Sequence, residues 1–312
     1  MRVFFAGTPD IAVPSLVKLS ERHEVVGILT NPDRECGRGR EIKCCPVKVK
    51  ADELGIKTFQ PEKLDETFFE EVRALKPDIL AVTAYGKIFR KNFIDIFPHG
   101  GLNVHPSLLP EFRGASPIQS ALLSGKPVTG ISIQRLALKM DSGNLLMQEE
   151  YTYKSDDTSE SLTQYFAQRG AELLCDVVGL IENGTAVDTP QDESKVTCCS
   201  YIEKEDGLIN WKDSAEIIDR KLRAFTPWPG VYTFFAGKKL NILEAAPGSQ
   251  EYADSDAECG KVIRIDKKAG ILIQTGNGIL AVRRLQLQSK KALDWNSFAN
   301  GVKDFSDAVL GG

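Results

Sequence analysis

The chain has 312 residues, 42% hydrophobic and 26% charged, with a formal net charge of −4. That balance excludes a disordered chain and a disulfide-stapled miniprotein, gives no general pull toward nucleic acid, and at this length predicts two domains. No apolar run approaches the roughly 18–20 residues of a membrane helix, and the start lacks a signal peptide's apolar core, so a cytoplasmic protein is expected.

In chain order, a buried strand is predicted over 2–6 (Val3-Phe4-Phe5-Ala6), stopped by Gly7-Thr8-Pro9. An amphipathic stretch with Ile11, Leu16 and Leu19 follows, then a second buried strand over 24–30. A helical pattern through Phe68, Phe69, Val72 and Leu75 leads into a strand over 78–83, and further strands are predicted over 101–104 and 129–136. A long helix is predicted over 157–183, with Asp157 and Glu160 spaced as a capping box and Gly184 as its stop. Continuous apolar strands alternating with helices predict an α/β domain with a doubly wound, mainly parallel sheet. Domain boundaries are placed at 1–189, a polar linker at 190–206, and 207–312. The last segment has a short helix over 215–224, the rigid turn Phe225-Thr-Pro-Trp-Pro-Gly230, and about five short strands separated by hairpin turns. Such a run suggests a small OB-like β-barrel.

A dinucleotide site is not expected after the first strand. The turn reads Gly7-Thr8-Pro9-Asp10 rather than G-x-G-x-x-G, and Asp10 would repel a phosphate there. The seven cysteines include two vicinal pairs and no C-x-x-C, which reads as free thiols and no metal site. Charge is uneven. Residues 207–312 carry 15 Lys+Arg against 12 Asp+Glu, leaving the negative excess to residues 1–206. Within that acidic part, Arg34, Arg38, Arg40, Lys43, Lys48 and Lys50 stand against only Glu35 and Glu41. A run like this is a solvated loop or a local phosphate contact.

Only three histidines are present, His23, His99 and His105. Asn103 and His105 are two apart at the end of a predicted strand, so their side chains leave the same face. Ligands of open α/β sheets bind at the carboxyl ends of strands. Asp141, in Met140-Asp141-Ser142-Gly143, is either a turn former or, placed beside His105, the group that orients the imidazole and raises its basicity.

Asn103-x-His105 with Ser107-Leu108-Leu109-Pro110, then Phe112-Arg113-Gly114, and Asp141 before Ser-Gly, resembles the folate-dependent formyltransferases, most closely those acting on methionyl-tRNA. Phe5-Ala-Gly-Thr-Pro-Asp10, Gly37-Arg38-Gly39-Arg40, Ala84-Tyr-Gly86 and Phe225-x-Pro-Trp-Pro229 extend the resemblance across both domains. It implies formyl transfer from 10-formyltetrahydrofolate to the α-amino group of methionyl-initiator-tRNA, for translation initiation, and since nothing in the sequence suggests an obligate interface, a monomer is expected. It further implies Asn103, His105 and Asp141 as the catalytic set, and Ser107, Leu108, Leu109 and Pro110 as lining for the folate. Arg38 is implied as a tRNA contact, and Lys238, Lys239, Arg283, Arg284, Lys290 and Lys291 as backbone contacts from the barrel. Two alternatives remain at this point: a formyltransferase for a small-molecule amine or a formyl-folate hydrolase, and a non-catalytic RNA-binding protein on the same scaffold.

Overall fold

The computed structural model describes residues 1–36, 41–252 and 257–311. The chain divides into two compact units: Met1–Pro117 with Pro127–Tyr153 and Ser161–Ser200, and Ile118–Lys126 with Lys154–Glu160 and Tyr201–Gly312.

The first unit is built on a seven-stranded sheet of β1 (Arg2–Gly7), β2 (Glu24–Leu29), β3 (Thr58–Phe59), β4 (Ile79–Thr83), β5 (Gly101–His105), β6 (Val128–Arg135) and β7 (Leu145–Thr152). Its order is β7-β6-β5-β4-β1-β2-β3. From β3 to β5 neighbouring strands run parallel, whereas β6 and β7 add an antiparallel edge. The parallel strands read as unbroken apolar runs because helices cover both faces: Val3 to Ala6 and Ile79 to Ala81 are fully buried.

One face is sealed by an aromatic cluster. The helix Glu66–Ala74 starts at Asp65, whose side chain accepts from the Phe68 N–H at 3.2 Å. It turns Phe68, Phe69 and Val72 inward onto Phe4, Phe59, Phe89, Phe93 and Phe97. Each such ring contributes about 1.5–3 kcal/mol of burial. That core ties β1 to β4 together, and β5, paired with β4, carries Asn103 and His105.

The long helix runs Ser159–Glu182, two residues inside the expected start. Asp157 lies before it and accepts from the Lys154 N–H at 2.6 Å, closing the preceding turn. The isolated bridge Leu145↔Thr189 closes the stretch just before the expected linker, which holds the strand Cys198–Cys199, paired with Arg113–Gly114.

The second unit holds a six-stranded antiparallel sheet, its strands including Val231–Phe235, Lys238–Pro247, Val262–Asp266, Gly270–Gln274 and Ile279–Leu287. Leu240, Ile242, Ile271, Ile273, Leu280 and Val282 alternate into its core. The helices Ala215–Ala224 and Trp295–Gly301 belong to this unit. No helix among the described residues is long and apolar enough to cross a membrane.

Candidate active site

Asn103 and His105 stand at the carboxyl end of β5, where the register sets Asn103 opposite Gln134 and His105 opposite Ser132 on β6. Asp141 arrives from the turn after β6. Its backbone is left-handed, φ +50°, and the turn closes against β6 at Gly143, where any Cβ would run into the Arg135 carbonyl.

The three side chains meet. The His105 Nδ1 lies 3.7 Å from the Asp141 Oδ2, and the Asn103 Nδ2 donates to the Asp141 Oδ1 at 3.4 Å. That long bond is the only side-chain bond of Asn103 among the described residues, so its amide is largely uncommitted. Asp141 is far better held. The Gly114 N–H donates to its Oδ2 at 2.9 Å and the Gln134 side chain to its Oδ1 at 2.9 Å. These two donors hold the carboxylate in place.

His105 is almost wholly buried, 4% exposed. Burial pushes its pKa below the ordinary 6.5, opposed by the Asp141 carboxylate and then by the Phe112 carbonyl. The ring is neutral near pH 7. Its Nε2 sits 3.0 Å from the Phe112 carbonyl oxygen, which only accepts, so Nε2 carries the hydrogen. Phe112 itself has φ +58°, the bend that aims its carbonyl at the ring. The basic lone pair is therefore on Nδ1, toward Asp141.

The turn after β5 is internally satisfied. The Ser107 hydroxyl donates to the Glu111 carbonyl at 2.6 Å, and Ser132 Oγ donates to the Ser107 carbonyl at 2.6 Å while accepting from the Leu109 N–H at 3.1 Å. Ser107 and Leu109 are buried, Leu108 and Pro110 half-buried. The apolar surface this turn offers comes from Leu108 and Pro110. Arg38 lies outside the described residues. The exposed cations of the second unit converge in part: Lys239 pairs through its carbonyl with the Gln288 N–H at 2.8 Å, which places Lys238 beside the turn bearing Lys290 and Lys291. Arg283 and Arg284 lie farther along the sheet, Arg284 paired with Glu244 at 3.2 Å. Among the described residues no group of three or more His, Cys, Asp or Glu is arranged to hold a metal.

The sequence reading did not single out Gln134, Gln191, the Phe112 carbonyl or the Gly114 N–H as parts of the site. A glutamine inside the apolar run of β6 was a usable signal, because a buried amide needs partners. Backbone groups leave no such trace.

Residues 1–178 match the formyl transferase family, and residues 201–303 match its C-terminal domain. The chain belongs to the formyltransferase family. Methionyl-tRNA formyltransferase of Treponema denticola is 44% identical over 319 residues, spanning 98% of this chain and 98% of its own length. That of Borrelia hermsii is 40% identical over 314 residues, spanning 99% of this chain and all of its own. Among solved structures, HypX from Aquifex aeolicus in complex with tetrahydrofolic acid superposes with a TM-score of 0.65 at 17% identity, over 99% of this chain and 48% of that one. The N-formyltransferase of Helicobacter canadensis, bound to folinic acid and dTDP-3-aminofucose, does so at 0.67 and 18% identity, over 93% of this chain and 100% of that one. At those identities the likeness is one of fold.

Proposed function

We propose that the chain transfers the formyl group of 10-formyltetrahydrofolate to the α-amino group of methionyl-initiator-tRNA, making the formylmethionyl-tRNA of translation initiation, with Asn103, His105 and Asp141 at the reacting centre. The observation that carries this reading is the convergence of an uncommitted amide, a neutral imidazole and a carboxylate at the end of β5. Relatives matching nearly the whole chain at 40–44% identity, all methionyl-tRNA formyltransferases, support the choice of acceptor.

The folate supplies an electrophilic formyl carbon, and attack by the amine builds negative charge on the formyl oxygen and positive charge on the nitrogen. Asn103 can donate an N–H to that oxygen at little cost, since its present bond is long. The amine's surplus proton is drawn toward the Asp141 carboxylate and the His105 Nδ1. Once protonated, the imidazolium is held between the Phe112 carbonyl and Asp141. As the oxyanion collapses and the bond from the formyl carbon to folate N10 breaks, the proton passes on to N10 and tetrahydrofolate leaves. Asp141 stabilises that charge without leaving its bonds to Gly114 and Gln134.

The folate fits the turn chemistrywise: Leu108 and Pro110 give half-buried apolar surface for a flat ring, and Ser107 and Leu109 hold the turn's shape. Arg38 contacts the acceptor end of the tRNA, and the lysines and arginines of 207–312 contact its backbone. The enzyme acts as a monomer in the cytoplasm.

Single-turnover transfer to methionyl-initiator-tRNA, with methionyl-elongator-tRNA in parallel, tests the reading. Fast transfer to the initiator alone is expected. Transfer only to a small amine such as glycinamide ribonucleotide would overturn it. Arg38→Ala should raise KM for the tRNA while leaving folate binding unchanged, and equal loss of both would refute the loop's role.

A further inference from the structure

We propose that Gln191 and Arg113 form a positioning pair that sets the Asp141 carboxylate against His105 by gripping the backbone of the Asp141 turn. This rests on the reading of Asp141 and His105 given above. Gln191 spends its whole hydrogen-bonding capacity here. Its Nε2 donates to the carbonyl of Asp141 at 2.8 Å and to that of Gly143 at 2.7 Å. Its Oε1 accepts from the Arg113 Nε at 3.0 Å and Nη2 at 2.7 Å. The guanidinium, only 2% exposed, is neutralised by Glu193 at 2.7 Å.

The arrangement uses the same dipeptide twice. Arg113 orients Gln191 with its side chain, while the next residue, Gly114, donates its N–H to the Asp141 carboxylate. Backbone and side chain of Asp141 are thus referenced to one short strand, itself pinned by pairing with Cys198–Cys199. A left-handed Asp costs backbone energy, so the turn needs such an external grip to persist. Gln191 is delivered by the Leu145↔Thr189 bridge, two residues before it. Glutamate could not replace it, because two carbonyls need two donors. Lysine could not replace Arg113, because one ammonium cannot present a planar fork to a single amide oxygen.

The test uses the full-length enzyme with both natural substrates. Gln191→Met should lower kcat on the order of 10²-fold, the cost of a misplaced reacting group, with KM for tRNA and folate within about twofold. The double variant with Asp141→Asn should be no slower than Asp141→Asn alone, since both lesions act through one carboxylate. The His105 ionisation, followed by NMR among only three histidines, should move further down as the carboxylate retreats. Gln191→Glu, equal in size, should give the same kcat loss and carries the test should Gln191→Met fail to fold. A wild-type kcat in a folded Gln191 variant, or losses that multiply with those of Asp141→Asn, would overturn the proposal. Wild-type kcat in Asp141→Asn alone would overturn instead the site assignment beneath it, and the His105 shift would still report whether Gln191 places the carboxylate.

Discussion

At His105, burial and a neighbouring carboxylate pull in opposite directions, and burial prevails. The consequence for stability has a definite sign. With the folded-state pKa below the ordinary 6.5, the unfolded chain takes up the proton first as pH falls. The stabilisation is complete above about pH 6.5 and is lost progressively below it, down to the depressed pKa. Denaturant midpoints should therefore fall between about pH 7.5 and 5.5, and His105→Gln should flatten that slope. His23 is displaced the same way by burial, so the comparison belongs in a His23→Asn background. Activity should fall only at lower pH, as the depressed His105 pKa of the folded enzyme is passed, because imidazolium cannot accept the amine's proton. Asn103→Ala tests the oxyanion contact: kcat should drop about 10²–10³-fold with the melting temperature unchanged. A large stability loss with intact kcat would mark Asn103 as a strand residue only.

At the scale of elements, the turn following β5 depends on one hydroxyl from β6. Ser132 Oγ serves the Ser107 carbonyl, the Leu109 N–H and the Gln148 amide together. Ser132→Ala orphans buried polar groups and should cost about 1–3 kcal/mol, with a raised KM for folate as the turn loosens. An unchanged melting temperature and KM would show the turn to be held otherwise. The strands β1, β2 and β4 were legible because two-sided burial leaves continuous apolar runs, whereas β5 and β6 carry polar residues such as Asn103, His105 and Gln134 among their apolar ones. β7 was not, since an edge strand exposes one face: Leu145–Thr152 carries Glu149 and Glu150 and shows no unbroken apolar run. The helix Trp295–Gly301 is seven residues long, too short for a period, and is signalled only by its cap, Asp294, which accepts from the N–H groups of Asn296 and Ser297.

At the scale of the molecule, a net-negative protein that uses a polyanion must concentrate its cations. The basic excess of 207–312 and the run from Arg34 to Lys50 do so. Raising salt should increase KM for the tRNA steeply and leave that for folate nearly flat. Equal sensitivity would assign those cations to ordinary surface. The two units interleave along the sequence. Ile118–Lys126 and Lys154–Glu160 associate with the second unit although they lie within the first in sequence, which no local pattern announces.

The sequence by itself determined the parallel sheet and the antiparallel second unit, and singled out Asn103, His105 and Asp141 as a candidate set, because periodic burial and a distinctive run of residues are written locally. The tertiary structure alone decided which nitrogen of His105 is basic and what holds Asp141. Those depend on the Phe112 carbonyl, the Gly114 N–H, Gln134 and Gln191. Such groups become partners only when β5, β6, the Asp141 turn and the segment after Thr189 are brought together. Backbone donors and acceptors are common to nearly every residue, so only their placement in space distinguishes these few.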